Sequence, residues 1–472
     1  MNRLKILLLS LVLSAAAISS AAGDRGRQNH NPYGIDTDEI ERYFAAVLRG
    51  EPAAFTTRRI VVPAETEQIR ALVWEAWRRA NESFDQPLLP QLTPLAGSFD
   101  EKQVSGVWPL LEGEQMQFFY GSKGDRPRSG YPLFLCLHGS GDNDYEFRAT
   151  LAWAQRYDDA PSAYFIPRSP KGGTGCRWYQ PSRQQAWERL LRQAFLFGEI
   201  DPDHIYVFGI SEGGYGSQRL ASFYADYLAG AGPIAGGEQM FWAPPENCAS
   251  IAFCLQTGDR DTMYGRRMLV QRAQQQWSAL QQAHPGYYQH KIDLQPGYGH
   301  GCDYTVTTPY LKNYARNPYP KYVCWENLPQ GNINGEKASF RSGFYNLSIR
   351  ERSTDDSDDM VRSFYRMTID DNTVSLDVEV VTVTPGQTIQ SDEGWTMNIG
   401  ETKTYEKATR GRIVIYLNDK LVDMSRPVTV KVNGKLKFEG RLKPCLRDMV
   451  TSCGEYFDPA RLYPASVEVT VE

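Results

Sequence analysis

Residues Ile205–Ser217 read I-Y-V-F-G-I-S-E-G-G-Y-G-S. Ile205 to Phe208 is a short apolar run of β-branched and aromatic residues, bounded by Asp201-Pro202-Asp203 and by Gly209, which is the pattern of a buried strand. Past it, Leu220, Ala221, Tyr224, Tyr227 and Leu228 fall on one helical face. Ser211 stands between the two, with Gly209 before it and Gly213-Gly214 after it. A strand that enters a helix through G-x-S-x-G is a nucleophile elbow. The turn is so sharp that the serine is strained at its apex, and the glycines remove side chains that would clash with the neighbouring strand and helix. The helix N-terminus behind the serine offers free N–H groups to a developing negative charge. So short a motif needs partners from the rest of the chain.

Upstream, the patterns V-S-G-V-W-P-L-L from Val104, E-Q-M-Q-F-F-Y, and Pro132 to Leu137 read as strands, and the last ends in His138-Gly139-Ser140-Gly141-Asp142. S-A-Y-F-I-P-R-S is a further strand. It is followed by the loop Lys171–Gln180 and by a helix with Trp187, Leu190, Leu191, Ala194 and Phe195 on one face. Repeated strand–helix–strand units imply a mostly parallel sheet, and ligands bind outside the carboxyl ends of such strands, where Ser140 and Ser211 fall. Downstream, Ala231–Gly237 is a small-residue strand leading into Q-M-F-W-A-P-P, a candidate pocket wall. The strand Ile251–Leu255 ends in Gly258-Asp259-Arg260-Asp261, and His290–Gln295 runs into P-G-Y-G-H-G, which contains His300. Of the six histidines, His300 alone lies in a glycine-flanked loop after the last strand of the unit.

Between about Val104 and Asn317 the chain resembles the α/β-hydrolase superfamily. The resemblance rests on the elbow, the strand ending in H-G-S-G, and the order Ser211, Asp261, His300 with each residue at a strand end. Its likenesses within that superfamily are secreted esterases of the polyhydroxybutyrate-depolymerase and feruloyl-esterase type, and prolyl-oligopeptidase-like peptidases. The resemblance implies Ser211 as nucleophile, His300 as base and Asp261 as the residue orienting it, with Asp259 as the alternative acid. It also implies an oxyanion hole from the backbone N–H groups of Ser140 and Glu212, and a structural role for His138. Trp178, Tyr179 and Trp242 are the candidate substrate-contacting residues, and no cofactor or metal ion is called for. One departure is Glu212, because many of the relatives have an uncharged residue after the serine.

The chain has 472 residues and a net charge of −5, which is room for two or three domains and gives no electrostatic reason to expect nucleic acid. Asn2-Arg3-Leu4-Lys5, an apolar run from Ile6 to Ile18 and small residues at Ser20 and Ala22 read as a signal peptide cleaved near Ala22, implying a secreted or periplasmic protein. No other segment is apolar and long enough for a transmembrane helix. Export permits disulfides, and Cys302–Cys324 and Cys445–Cys453 are candidate bridges, while Cys136 and Cys254 sit in apolar runs. Two amphipathic helices, about Asp36–Leu48 and Glu65–Ala80, precede the hydrolase-like part as packing elements or as a lid.

Beyond Pro329 the composition turns to alternating strands with an Asn433-Gly434 hairpin, the pattern of an immunoglobulin-like β-sandwich. The expected organisation is a signal peptide (1–22), a helical extension (23–95), an α/β-hydrolase domain (96–330) and an all-β domain (331–472). The expected function is hydrolysis of a small-molecule or polysaccharide ester. The alternatives are a peptidase acting on peptides, or a binding protein working through the C-terminal domain.

Overall fold

The computed structural model describes residues 31–97, 104–173, 177–329, 340–355, 357–391, 394 and 396–472. The segment read above as a signal peptide lies outside them. Helices α1 (Thr37–Leu48) and α2 (Thr66–Ser83) open the described chain. Asp36 caps α1 by accepting hydrogen bonds from the N–H groups of Asp38 and Glu39. Strands β1 (Thr93–Pro94), β2 (Gly106–Pro109), β3 (Gln115–Lys123), β4 (Tyr131–Leu137), β5 (Ser162–Pro167), β6 (Ile200–Ile210), β7 (Gly230–Ile234), β8 (Ala252–Gly258) and β9 (His290–Gln295) form one sheet. Its order is β1-β3-β5-β4-β6-β7-β8-β9, with β2 on β3. From β5 through β9 every neighbouring pair is parallel.

The connecting helices are α3 (Asn143–Arg156), α4 (Pro181–Leu196), α5 (Glu212–Tyr224), α6 (Arg266–Ala283) and α7 (Thr307–Leu311). The central strands are apolar throughout because both faces of the sheet are covered. Leu133, Leu135 and Leu137 of β4 and Ile205 and Val207 of β6 enter one core. Their alternating neighbours Phe134, Cys136, Tyr206 and Phe208 enter the other, with Leu151 of α3 and Leu311 of α7.

The remaining strands are β10 (Tyr322–Glu326), β11 (Gly343–Phe344), β12 (Leu347–Glu351), β13 (Val361–Asp370), β14 (Thr373–Pro385), β15 (Thr388–Gln390), β16 (Thr396–Asn398), β17 (Glu401–Lys407), β18 (Arg412–Leu417), β19 (Val428–Val432), β20 (Lys435–Gly440) and β21 (Ala465–Thr470). They make a six-stranded sheet containing β10, a four-stranded sheet and the small hairpin β15–β16. Asn433 and Gly434 both have positive φ, as the primed turn between β19 and β20 requires.

Three expectations need correction. Strand β10 pairs with β13, so this sheet begins on the N-terminal side of residue 331. The unit is not all-β, because helix α8 (Leu446–Tyr456) lies between β20 and β21. Cys302, Cys324, Cys445 and Cys453 are free thiols. Cys445 caps α8 and Cys453 sits near its end, so about 12 Å of helical rise separates them, far beyond disulfide reach. The N-terminal helices serve packing. Phe44, Val73 and Trp77 form a core with Leu446, Met449 and Val450 of α8.

Buried charge ties the two halves together. Asp226, just after α5, accepts from Arg341 and, at 2.6 Å, from Arg461. Arg461 also bonds Asp458 at 2.7 Å, and Asp458 accepts from Arg316 at 2.5 Å. Burial pushes the Asp226 carboxyl up, but the two guanidinium groups outweigh it and hold the group below its ordinary value. Asp226→Asn leaves two buried cations short of a partner and is expected to cost about 3–5 kcal/mol in chemical denaturation at neutral pH. Because the native value is depressed, this contribution is complete above about pH 4 and is lost as pH falls through the native pKa, so the gap between variant and wild type should narrow in acid.

Candidate active site

Ser211 ends β6 and caps α5 with φ 57° and ψ −115°, a strained conformation for a serine. The strain is imposed by the close packing of α5 against β4. A Cβ on Gly213 would lie 2.1 Å from the Leu137 carbonyl oxygen, and one on Gly209 would lie 2.6 Å from the Gly213 backbone and from the same oxygen. Only glycine fits at either position. The turn is pinned by the Ser211 N–H bond to the Ile234 carbonyl at 2.9 Å and the Gly214 N–H bond to the Ser211 carbonyl at 2.8 Å.

Three loops at the carboxyl ends of β6, β8 and β9 bring together Ser211, Asp261 and His300. His300 Nε2 lies 3.1 Å from Ser211 Oγ, and its Nδ1 lies 2.8 Å from Asp261 Oδ2. Asp261 is 3 % exposed, and its other oxygen accepts from Arg266 Nη1 at 3.1 Å. Burial raises the Asp261 carboxyl, but the His300 hydrogen bond and the Arg266 charge together leave it below its ordinary value. The group is therefore ionised, and an ionised acceptor requires the proton on Nδ1, leaving Nε2 free to accept from the serine. Arg266 Nη1 is also 3.3 Å from Nδ1. With a proton already on that nitrogen, the contact is one of charge and not a hydrogen bond. Asp259 faces elsewhere and accepts the Gly297 N–H at 2.8 Å.

The loop after β4 supplies Ser140 beside Ser211. His138 is buried there, with Nδ1 2.6 Å from the Gly139 carbonyl and Nε2 accepting the Ser169 N–H at 2.9 Å. Burial lowers its pKa to about 4, so it is neutral and structural. Glu146, on α3, packs its carboxylate against the backbone on both sides of Ser140: a Cβ on Gly139 would lie 2.8 Å from Oε2 and one on Gly141 2.4 Å from Oε1. Glu212 opens α5, so its N–H belongs to the first turn, which has no acceptor within the helix.

Ser211 lies between two cavities. The larger, about 390 Å³, is lined by Arg177, Tyr179, Glu212, Tyr215, Arg219, Glu238, Tyr264, Arg266 and Met397 with Ser140 and Ser211. The smaller, about 220 Å³, lies between Tyr145, Glu146, Trp153, Tyr304 and His300. Of the expected substrate contacts, Tyr179 lines the larger cavity. Trp178 does not: it is fully buried, with its indole N–H bonded to the His138 carbonyl at 3.0 Å. Trp242 lies outside the cavity lining and takes Arg219 and Arg362 against its ring.

Glu212 pairs with Arg177 at 2.5 Å. Arg266, on the same cavity wall, serves Asp261 instead. Four contributors carried no local sequence signal: Arg266, Glu146, the Arg219–Glu238 pair and Met397. Met397 is on β16 of the C-terminal part and reaches the site only through tertiary packing.

No family model matches the chain. It is 26 % identical over 213 residues to poly(3-hydroxyalkanoate) depolymerase C of Paucimonas lemoignei, covering 42 % of this chain and 46 % of that protein. It is 29 % identical over 114 residues to the putative esterase NocK of Nocardia uniformis subsp. tsuyamanensis, covering 23 % of this chain and 33 % of that one. The chain thus spans less than half the length of these curated relatives. Among solved structures, a thermostable esterase matches at 20 % identity and a TM-score of 0.36, over 45 % of this chain and 62 % of its own. By its central sheet and elbow the protein has the α/β-hydrolase fold. Within that fold it is similar to the esterases and depolymerases just named.

The clamp on the Ser140 loop can be checked directly. Glu146→Ala removes the carboxylate packed against Gly139 and Gly141 and lets Ser140 drift from its place beside Ser211. With 4-nitrophenyl acetate the variant is expected to lose about 100-fold in kcat, the scale of one lost oxyanion donor, with KM nearly unchanged. Stopped-time assays of both constants measure it.

Proposed function

We propose that the protein is an exported serine hydrolase that cleaves a carboxylic ester through an acyl-enzyme intermediate. The observation that carries this reading is the continuous hydrogen-bonded line from Ser211 Oγ through His300 to Asp261, with the serine held at positive φ on a helix N-terminus. In the proposed reaction Ser211 Oγ attacks the ester carbonyl while His300 Nε2 takes its proton. Asp261, kept ionised by Arg266, stabilises the imidazolium and holds the ring in the productive tautomer. The N–H groups of Ser140 and Glu212 receive the oxyanion. His300 then protonates the departing alkoxide, leaving the acyl group on Ser211. Water activated by the same imidazole attacks that acyl-enzyme, and collapse releases the acid and restores the serine.

The relatives support an ester over an amide, because one is a poly(3-hydroxyalkanoate) depolymerase and the other a putative esterase. Their partial coverage leaves the particular ester to experiment, and an acylated polysaccharide or another extracellular ester fits an exported enzyme. The catalytic part in this proposal is the sheet β1–β9 with its connecting helices, with the C-terminal sheets as a supporting unit that also reaches the cleft.

Ser211→Ala is expected to abolish hydrolysis of 4-nitrophenyl acetate and labelling by a fluorophosphonate probe, with an unchanged melting temperature. Full labelling of the variant would remove the assignment. Asp261→Asn should lower kcat by about four orders of magnitude, because the asparagine favours the wrong tautomer of the imidazole. Asp259→Asn, measured in the same assay, should stay close to wild type; the opposite pattern would exchange their roles. A parallel panel of aminoacyl-4-nitroanilides is expected to give no turnover.

A further inference from the structure

The larger cavity beside Ser211 contains two ion pairs that the proposed chemistry does not use. Arg177 pairs with Glu212 at 2.5 Å and Arg219 with Glu238 at 2.6 Å. In each pair the guanidinium is the more exposed partner. Side-chain exposure is 28 % for Arg177 against 9 % for Glu212, and 14 % for Arg219 against 8 % for Glu238. The third arginine of the cavity, Arg266, is only 4 % exposed and is committed to Asp261.

The two carboxylates act as mounts. Glu238 is itself fixed, since its Oε1 accepts the Gln239 N–H at 2.9 Å while Oε2 takes Arg219 Nε. That bond uses Nε and leaves the two Nη groups of Arg219 outside it. Tyr179 stacks against the Arg219 guanidinium at 3.9 Å from the ring centroid and fixes its plane. Arg177 engages Glu212 through Nη1. The Arg219 guanidinium, held in a fixed plane, and the Arg177 guanidinium, anchored at one end, both line the cavity, and together they match a carboxylate, which they can take by charge-assisted N–H bonds with little loss of side-chain freedom. An ammonium group would face two cations, and an uncharged apolar chain would leave these donors unmatched. Glu212 adds to the match. Burial raises its carboxyl to about 7, so it can accept a proton and leave the Arg177 charge to a bound anion.

We propose that Arg177 and Arg219 form an anion subsite that recognises a carboxylate carried by the ester substrate. The inference rests on the ester-hydrolase reading and adds a substrate class to it, esters of acidic molecules. The carboxylate can belong to the acyl part, as in a dicarboxylic half-ester, or to the alcohol part, as in an acylated acidic sugar.

Matched substrates separate these cases. On the acyl side, mono-4-nitrophenyl glutarate is compared with its methyl ester. On the alcohol side, 3-acetoxybenzoate is compared with phenyl acetate. In wild type, kcat/KM for the charged member of one pair is expected to exceed that of its neutral partner by about tenfold or more, and added salt should erode that ratio. Arg219→Met and Arg177→Met should bring the ratio near one, whatever their effect on absolute rates, and Arg219→Lys should retain part of it. A ratio of one or less for both pairs in wild type would overturn the subsite, as would a preference that both Met variants keep. Should the variants fail to fold, the wild-type ratio and its salt dependence decide alone, and a salt-independent ratio counts against the proposal. Neutral esters hydrolysed in a Ser211-dependent way without an acidic preference would remove this inference and leave the esterase reading standing. Absence of any ester hydrolysis would remove both.

Discussion

The contact between the first turn of α5 and the end of β4 governs everything at the carboxyl edge of the sheet. Gly213 lies so close to the Leu137 carbonyl that no side chain can be placed between them. That approach draws the helix N-terminus onto the strand ends and forces Ser211 into its positive-φ turn. It also sets Ser211 beside the loop that carries Ser140, and both residues border the same two cavities. A looser contact would let the serine relax and would separate it from both neighbours. The parallel core beneath, with aliphatic and aromatic side chains filling both faces, supplies the rigidity that makes such strain tolerable.

Around that elbow the molecule places negative charge in buried positions and surrounds it with arginine. Asp261 has Arg266, Glu212 has Arg177 and Glu238 has Arg219. An isolated carboxylate at any of these positions would be disfavoured by desolvation and would shed its charge by taking up a proton. Pairing keeps Asp261 ionised, which the imidazole requires. For Glu212 the pairing only partly offsets burial, and the carboxyl remains raised. The same elementary balance between desolvation and Coulomb attraction thus gives two neighbouring acids different protonation behaviour.

The C-terminal sheets are joined to the catalytic part by more than a linker. Asp226, Arg316, Arg341, Asp458 and Arg461 form a buried charge network across the junction. A second network links Lys403 to Glu246 and Glu326, each at 2.8 Å. On the active-site side, Gln276 of α6 bonds Glu401 at 2.7 Å, near the hairpin β15–β16 that carries Met397 to the cleft. The cavity beside Ser211 is therefore lined by both parts of the chain.

Local pattern alone was enough for the elbow, the parallel sheet, the helix start at Asp36 and the primed turn at Asn433-Gly434. Each depends on residues close in sequence: apolar periodicity, a capping side chain, or glycine where a Cβ cannot be accommodated. His300 was legible as the one histidine in a glycine-flanked loop after a strand. Asp261 is already preferred over Asp259 from its place in G-D-R-D, and the fold supplies the reason: loop geometry aims Asp261 at the imidazole and Asp259 at the Gly297 N–H.

Pattern misled at Trp178, whose aromatic loop setting resembles a pocket wall although tertiary packing buries the ring against His138. It misled again at the cysteines, where closeness in sequence says nothing of the helical rise between Cys445 and Cys453. Met397 could be found only in three dimensions, since it comes from a distant segment; Arg219 and Glu146 lie near Ser211 and Ser140 in sequence, but only the packed helices show that they face the site. Short-range sterics and hydrophobic period are written in neighbouring residues, whereas the charge pairs and cavity walls beside Ser211 exist only once separate segments are packed together.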